Sequence, residues 1–156
     1  METAYIQTPL GITKIVGDEN GISEISILNE AEISKKIPKE LQQGVSQIEE
    51  YFSGKRKIFD FKLNPTGTDF QQKVWQELLK IPFGKTVSYL ELSKKLGDAK
   101  AIRAVAAANG KNPLWIVVPC HRVIGSDASL TGYAGGLWRK KWLLDFESEQ
   151  KQQVLF

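Results

Sequence analysis

The first part of the chain alternates apolar and polar residues with a period close to two, the pattern of half-buried β-strands. We predict strands over residues 4–8, 11–16 and 22–27. Pro9 ends the first strand, and the segment 17–21, Gly-Asp-Glu-Asn-Gly, is typical of a tight turn. The chain therefore begins with short strands joined by turns.

A polar connector at residues 29–38 separates these strands from a segment with helical periodicity. Residues 39–52 form a predicted amphipathic helix that Gly54 ends. Residues 59–63 are a further predicted strand, and Asn64-Pro65-Thr66-Gly67 marks a boundary. We expect an α/β domain with a scaffolding role over residues 1–65 and a second domain over residues 66–156.

The second domain has the pattern of several helices. Thr68 or Asp69 caps a helix that stops before Pro82, and Ser88 caps a short one that ends near Gly97. A further helix is predicted over residues 99–109. Two short helices joined by a turn that contains glycine make a helix-turn-helix candidate, although many helical hairpins share this pattern.

The second helix of this pair has an unusual outer face. Ile102 and Val105 are its predicted inward residues. The other face carries small side chains and one long cation: Arg103, Ala106, Ala107 and Gly110. Small residues permit close approach of another backbone, and a single arginine can reach into a nucleic-acid groove. Packing of a neighbouring helix on the alanines explains the same face, so the residues leave both interpretations open.

The stretch 117–125, Val-Val-Pro-Cys-His-Arg-Val-Ile-Gly, holds the only cysteine and the only histidine of the chain. A buried strand is predicted over residues 114–118, directly before them. Thiol and imidazole are the side chains most easily tuned to react near neutral pH. Because neighbouring residues of a strand point to opposite faces, the pair needs a turn after Pro119 or a bridging water to act together.

A third member of this group is predicted on the last helix, over residues 136–149. Leu143, Leu144 and Glu147 share one side of that helix. A carboxylate on an apolar face needs a donor, and His121 is the imidazole available to it. Cys120 would be the nucleophile, His121 the base and Glu147 the group that orients it. An inert buried cysteine and a surface glutamate are the alternatives.

Composition limits the classes of function. The 156 residues contain no apolar run long enough to span a bilayer, and the N-terminus lacks the features of a signal peptide. A single cysteine excludes an internal disulfide and is consistent with a reducing compartment, and one cysteine with one histidine cannot build a closed zinc site.

Charge is distributed unevenly along the chain. Residues 97–142 contain seven basic and two acidic residues, a net charge of +5, whereas the whole chain carries +3. A polyanionic partner would fit this segment. A solvated basic face is the more common explanation of such a charge run.

Pro119-Cys120-His121-Arg122-Val123 resembles the active-site signature of the O6-alkylguanine-DNA alkyltransferases, DNA-repair proteins that react once. The resemblance extends over about residues 68–147 in order and spacing, and before them it is limited to general layout. The further matching segments are 83–84, 87–89, 103–105, 110–113, 133–137 and 141–144.

The resemblance implies a role for each matching residue. Cys120 would accept the alkyl group, His121 would deprotonate it through a water, and Glu147 would orient His121. Tyr89 would protonate or hydrogen-bond the leaving guanine, and Asn112 would brace the active-site segment. Residues implied to contact DNA, with Arg103 as the finger that replaces the flipped nucleotide, are Ser88, Lys100, Ala101, Arg103, Ala104, Ala106 and Ala107. Residues implied to line the base pocket are Arg122, Val123, Tyr133 and Ala134.

The resemblance also implies a fold and partners. We expect an α/β (α+β) protein in which a small N-terminal sheet-and-helix unit packs on a mainly helical domain with a helix-turn-helix. We expect a cytoplasmic monomer without cofactor, metal or membrane association that binds the minor groove of double-stranded DNA. The N-terminal unit lacks the zinc ligands of some family members, and we expect no additional phosphotriester-repair domain. A lesion-binding protein without transfer activity, and a thiol hydrolase or redox sensor, are the alternatives.

Overall fold

The structure, a computed structural model, describes residues 1–125 and 136–154, with backbone alone for residues 151–154. The chain divides into two compact units. The first comprises Met1–Thr66 with Pro113–Trp115, and the second comprises Gly67–Asn112 with the described residues after Trp115. No helix in the described part of the chain is long and apolar enough to cross a membrane.

The first unit is a three-stranded antiparallel sheet with one helix. Its strands are β1 (Glu2–Thr8), β2 (Gly11–Asp18) and β3 (Gly21–Leu28), in the order β1-β2-β3. A 3₁₀ turn at Lys39–Leu41 leads into helix α1 (Gln42–Phe52). The core is formed by fully buried apolar side chains of the sheet, the 3₁₀ turn and the helix: Ala4, Ile15, Ile25, Leu41, Ile48 and Tyr51. The three strands and the helix predicted from periodicity are confirmed.

The second unit contains four helices and a short two-stranded parallel sheet. Its elements are α2 (Asp69–Leu78), β4 (Val87–Ser88), α3 (Tyr89–Lys95), α4 (Ile102–Gly110), β5 (Val123–Ile124) and α5 (Leu137–Val154). The Thr68 and Ser88 side chains each accept a hydrogen bond from the backbone amide of the third residue of their helix. The side chains of those third residues, Gln71 and Glu91, in turn accept from the backbone amides of the cap residues. Both predicted N-caps are therefore confirmed, as reciprocal capping boxes.

Helices α3 and α4 are joined by the predicted glycine turn. Gly97 has a φ of 94°, a conformation that glycine adopts without strain. Asp98 then accepts a hydrogen bond from the Lys100 amide at 2.9 Å, at the start of a 3₁₀ turn over Ala99–Ala101. One inward assignment on α4 is wrong, because Ile102 follows this 3₁₀ turn and is 37% exposed. The buried side chains of α4 are Val105, Ala108 and Asn109.

Two predicted strands are not present as strands. Residues 59–63 form only an isolated bridge between Leu63 and Ile22. Residues 114–118 are buried, but only Leu114 makes a bridge, to Ile25, and a turn follows. Ile116 in that turn has a φ of 70°, a left-handed conformation that is strained for a β-branched residue. Apolar residues in this segment therefore reflect burial rather than a strand.

Candidate active site

The reactive pair lies on a 3₁₀ turn rather than on a strand. The turn spans Cys120–Arg122, and the Cys120 amide donates to the Val118 carbonyl at 2.8 Å. A turn places three consecutive side chains in the interior, which the alternation of a strand forbids. Cys120 is 7% exposed, His121 is fully buried and Arg122 is 6% exposed. The predicted need for a turn after Pro119 is confirmed.

His121 is paired with Glu147 of α5. The imidazole Nε2 and the carboxylate Oε2 are 2.7 Å apart, and both side chains are buried. Burial lowers the pKa of His121, although the charge of Glu147 opposes this effect. A neutral imidazole that donates a hydrogen bond from Nε2 to Glu147 keeps a lone pair on Nδ1. Nδ1 is buried and has no hydrogen-bond partner among the described residues, so it is the atom that can accept a proton.

Arg122 completes this cluster by binding the same carboxylate through two nitrogens. Its Nε donates to Glu147 Oε1 at 2.8 Å, and its Nη2 donates to Oε2 at 3.0 Å. Its Nη1 donates to the Ile81 carbonyl at 2.8 Å. Burial alone would raise the pKa of Glu147, but His121 and Arg122 outweigh burial and hold that pKa well below its usual range. The resemblance places Arg122 in the base pocket, and in the structure its guanidinium is bound to Glu147 and the Ile81 carbonyl.

The Cys120 thiol is protonated in this surrounding. Burial raises its pKa, while a hydrogen bond with Asn112 and the charge of Lys140 oppose the rise. Asn112 also donates from Nδ2 to the Val118 carbonyl at 2.7 Å, which fixes the turn that precedes Cys120. A protonated thiol is a weak nucleophile, so a base must remove its proton when it reacts.

Lys140 is a buried cation that the sequence interpretation missed. Its ammonium donates to the Val123 carbonyl at 2.6 Å, lies 5.9 Å from the centre of the Tyr89 ring, and is fully buried. Burial lowers the pKa of Lys140, and the charge of Cys120 opposes this. Helical spacing could have located it, because Lys140 precedes Leu143 by three residues and Glu147 by seven.

Tyr89 is the first residue of α3, and a strand pair holds the start of this helix beside the reactive turn. β4 and β5 pair in parallel, with Val87 opposite Val123 and Ser88 opposite Ile124. Tyr89 therefore follows a strand that is hydrogen-bonded to the residues directly after Arg122. Its side chain is half-buried, and Asn109 of α4 donates from Nδ2 to its hydroxyl at 3.4 Å.

The residues implied to contact DNA occupy the outside of the helical pair. Arg103, Ala104, Ala107 and Lys100 are exposed, and Ala101 and Ala106 are partly exposed. Ser88 is partly exposed and its hydroxyl caps α3. Val123 is buried, and Tyr133 and Ala134 lie outside the described residues. Of the basic residues between positions 97 and 142, Arg122 and Lys140 are buried and so do not contribute to the exposed basic surface.

The described residues hold no group of three or more histidine, cysteine or carboxylate side chains that could bind a metal ion. The groups that the site brings together suit nucleophilic chemistry: a buried thiol, an imidazole whose Nδ1 has no partner among the described residues, a carboxylate fixed by arginine and a buried lysine. Such a group can activate Cys120 for attack on one reactive carbon.

Two family models match the chain, and together they span nearly its whole length. Residues 69–149 match the DNA binding domain of 6-O-methylguanine DNA methyltransferase, and residues 1–65 match its ribonuclease-like domain. The chain belongs to the 6-O-methylguanine DNA methyltransferase family. The resemblance seen in the sequence, and the mixed α/β fold that it implied, are confirmed.

Several family members are similar over most of both chains. A methylated-DNA–protein-cysteine methyltransferase of Methanosarcina barkeri is 44% identical over 149 residues, which cover 91% of this chain and 94% of that protein. Its namesake from Mycobacterium bovis is 41% identical over 150 residues, which cover 93% of this chain and 91% of that protein.

A solved structure of the family has the same fold. The crystal structure of Mycobacterium tuberculosis OGT in complex with DNA has a TM-score of 0.88 and 40% sequence identity, covering 96% of this chain and 94% of that chain.

Proposed function

We propose that this protein repairs DNA directly, by moving the alkyl group from O6 of guanine to its own Cys120. The observation that carries this proposal is the buried network of His121, Glu147 and Arg122 next to the buried Cys120, within a matched DNA-binding domain. The curated relatives are named for the transfer of methyl groups from DNA to a protein cysteine, and one similar structure is a DNA complex. Double-stranded DNA is therefore the partner, as a substrate of a methylated-DNA–protein-cysteine methyltransferase.

The reaction balances without a cofactor. His121 Nδ1 takes the thiol proton through a water, and the sulfur forms a bond with the alkyl carbon. The bond from that carbon to guanine O6 breaks and leaves its electron pair on the base, which takes up a proton that Tyr89 relays. The sum exchanges the alkyl group of guanine for the proton of the thiol. A thioether is not hydrolysed by the groups present, so each molecule reacts once.

The remaining residues supply access to the base. A target atom inside a duplex is unreachable, so the nucleotide must be flipped out. Arg103 would replace it in the stack, while the small residues of α4 lie against the minor groove. Val123, Tyr133 and Ala134 would line the base pocket, and O4-alkylthymine would be a second substrate. We propose a cytoplasmic location, because the activity requires a reduced thiol, and we propose that the protein acts as a monomer.

Stoichiometry tests this function. We would mix the protein with a duplex that contains one O6-methylguanine, at several ratios, and measure the mass of the Cys120 peptide. The expected result is a gain of one methyl group that saturates at one per protein, with loss of the lesion from the DNA. The variant Cys120→Ala should bind the duplex without transfer. Repeated turnover, or stable binding without a change in mass, would overturn the proposal and favour a hydrolase or a lesion-binding protein.

A further inference from the structure

Asn109 places an amide on the inward face of α4, where its buried neighbours are apolar. It is 2% exposed and lies on the same face as Val105 and Ala108. Its Nδ2 donates to the Tyr89 hydroxyl at 3.4 Å. Its Oδ1 is buried and has no hydrogen-bond partner among the residues that the structure describes.

Stability does not account for an amide at this position. A buried carbonyl oxygen without a donor is unfavourable, because it has lost its hydrogen bonds to water and gained none. A leucine, which has the same branched arrangement of side-chain heavy atoms, would carry no polar atom and so avoid this penalty. Unsatisfied polar groups of this kind in a native interior call for a functional explanation.

The contact with Tyr89 supplies that explanation. A hydroxyl oxygen that accepts a hydrogen bond from Asn109 cannot direct its own proton at the same amide nitrogen. The hydroxyl proton is therefore directed away from Asn109. The amide donor also stabilises the negative charge that grows on the tyrosine oxygen as its proton leaves.

We propose that Asn109 is a positioning residue for alkyl transfer, which orients the Tyr89 hydroxyl so that its proton is presented to the leaving guanine. This inference rests on the function proposed above. It assigns to α4 a second role besides DNA contact. Arg103 and the alanines act from the outer face of this helix, and Asn109 acts from its inner face.

The test compares stability with rate in the full-length protein. For Asn109→Leu we expect a melting temperature equal to or above that of the wild type, because the unsatisfied carbonyl is removed. Methyl transfer from a duplex with one O6-methylguanine should slow by about tenfold, a part of what general acid catalysis contributes. Affinity for an unmodified duplex should be unchanged, because Asn109 faces inward.

A double-mutant cycle separates positioning from packing. If Asn109 acts through the Tyr89 hydroxyl, Asn109→Leu should have no further effect on rate in a Tyr89→Phe background. The control is Ser93→Ala, which removes another buried polar side chain of this helical pair. Ser93 donates to the Tyr89 carbonyl at 2.8 Å and not to its hydroxyl, so the transfer rate should be retained.

Several outcomes would overturn the proposed role of Asn109. Additive losses in the cycle, or wild-type rates in Asn109→Leu, would overturn it, and so would a rate loss that matches a lower melting temperature. Asn109→Ala provides the same comparison if the leucine variant does not fold. Absence of methyl transfer in the wild type would instead refute the proposed function, so the two failures are distinguishable.

Discussion

Arg122 determines what the His121–Glu147 pair can do. A carboxylate bound by two guanidinium nitrogens is a weak base, because its negative charge is already compensated. Glu147 therefore accepts a hydrogen bond from Nε2–H of the imidazole without removing the proton. His121 keeps its vacant Nδ1 for the proton of Cys120, and Glu147 stabilises the imidazolium that results.

Lys140 gives the site a second charge, and its effect depends on pH. A positive charge near a thiol favours the thiolate and so lowers the pKa of Cys120. Lys140→Met keeps a long side chain but removes this charge, so the pKa of Cys120 should rise. We expect methyl transfer at neutral pH to fall by about tenfold, corresponding to about one pKa unit, the lower end of what a close opposite charge produces. The measurement is the transfer rate as a function of pH.

Because Lys140 acts by lowering the pKa of the Cys120 thiol, the transfer rates of Lys140→Met and the wild type should converge at high pH. There the thiol ionises without help and Lys140 itself loses its proton, so variant and wild type should approach the same rate. Among the described residues, the titratable groups near Lys140 include Tyr89 and His121, and His121 in turn faces Glu147 and Arg122; all four are unchanged in the variant. Lys141→Met is the control, because Lys141 is exposed and its ammonium pairs with Asp145 at 2.7 Å. A loss of equal size at every pH would show that Lys140 contributes packing alone.

Residue identity made only part of this site predictable. Cys120 and His121 stand out as the single members of their types, and Glu147 follows from helical spacing. Lys140 and Asn109 were missed because a lysine and an asparagine are ordinarily exposed, and the helical spacing that puts Lys140 on the face of Leu143 and Glu147 was not applied to a charged side chain. The contact of Arg122 with Glu147 was not predicted, because it depends on how a turn meets a distant helix.

At the scale of the elements, local patterns were reliable where neighbouring residues suffice to stabilise the structure. The hairpin strands, the amphipathic helix α1 and the two capping boxes depend on residues close in sequence. The segment 114–118 depends on distant ones, since its bridge is made to Ile25. Its apolar run is compatible with any buried conformation, and the left-handed conformation of Ile116 cannot be read from such a run.

The cap of α3 links helix stability to the reaction. Ser88 accepts a hydrogen bond from the Glu91 amide at 3.0 Å, and Tyr89 is the next residue. Ser88→Ala should lower the free energy of unfolding by about 1 kcal/mol, the usual value of an N-cap. It should also slow methyl transfer, because the first turn of α3 carries the Tyr89 hydroxyl. Urea unfolding and the transfer rate measure the two effects.

Thr68→Ala is the matched control, because it removes the same kind of capping box from α2. We expect a similar loss of stability and a normal transfer rate, since α2 carries none of the reacting groups. If both variants slow transfer equally, the effect of Ser88 belongs to global stability and not to the placement of Tyr89.

At the scale of the molecule, the charge that faces solvent differs from the charge in the sequence. Of the seven basic residues between positions 97 and 142, Arg122 and Lys140 are buried beside the proposed reacting groups. The remaining five are at least partly exposed: Lys100, Arg103, Lys111, Arg139 and Lys141. Long-range attraction to phosphates and local activation of the thiol are therefore performed by different cations of one segment.

The variant Arg103→Ala tests whether the outer face of α4 flips a nucleotide out of the duplex. The side chain is exposed amid alanines, and its proposed role is to fill the space that the extruded base leaves. Arg103→Ala should slow repair of O6-methylguanine in a duplex by about tenfold or more, in line with the cost of losing one stacking partner. Reaction with the free base O6-methylguanine requires no flipping and should proceed at the wild-type rate.

Lys80→Ala removes another exposed cation, from the end of α2, and should spare both reactions. Equal loss of rate on duplex and free base in Arg103→Ala would mean that Arg103 supports the active site itself, and the assignment of α4 as the flipping element would then fail.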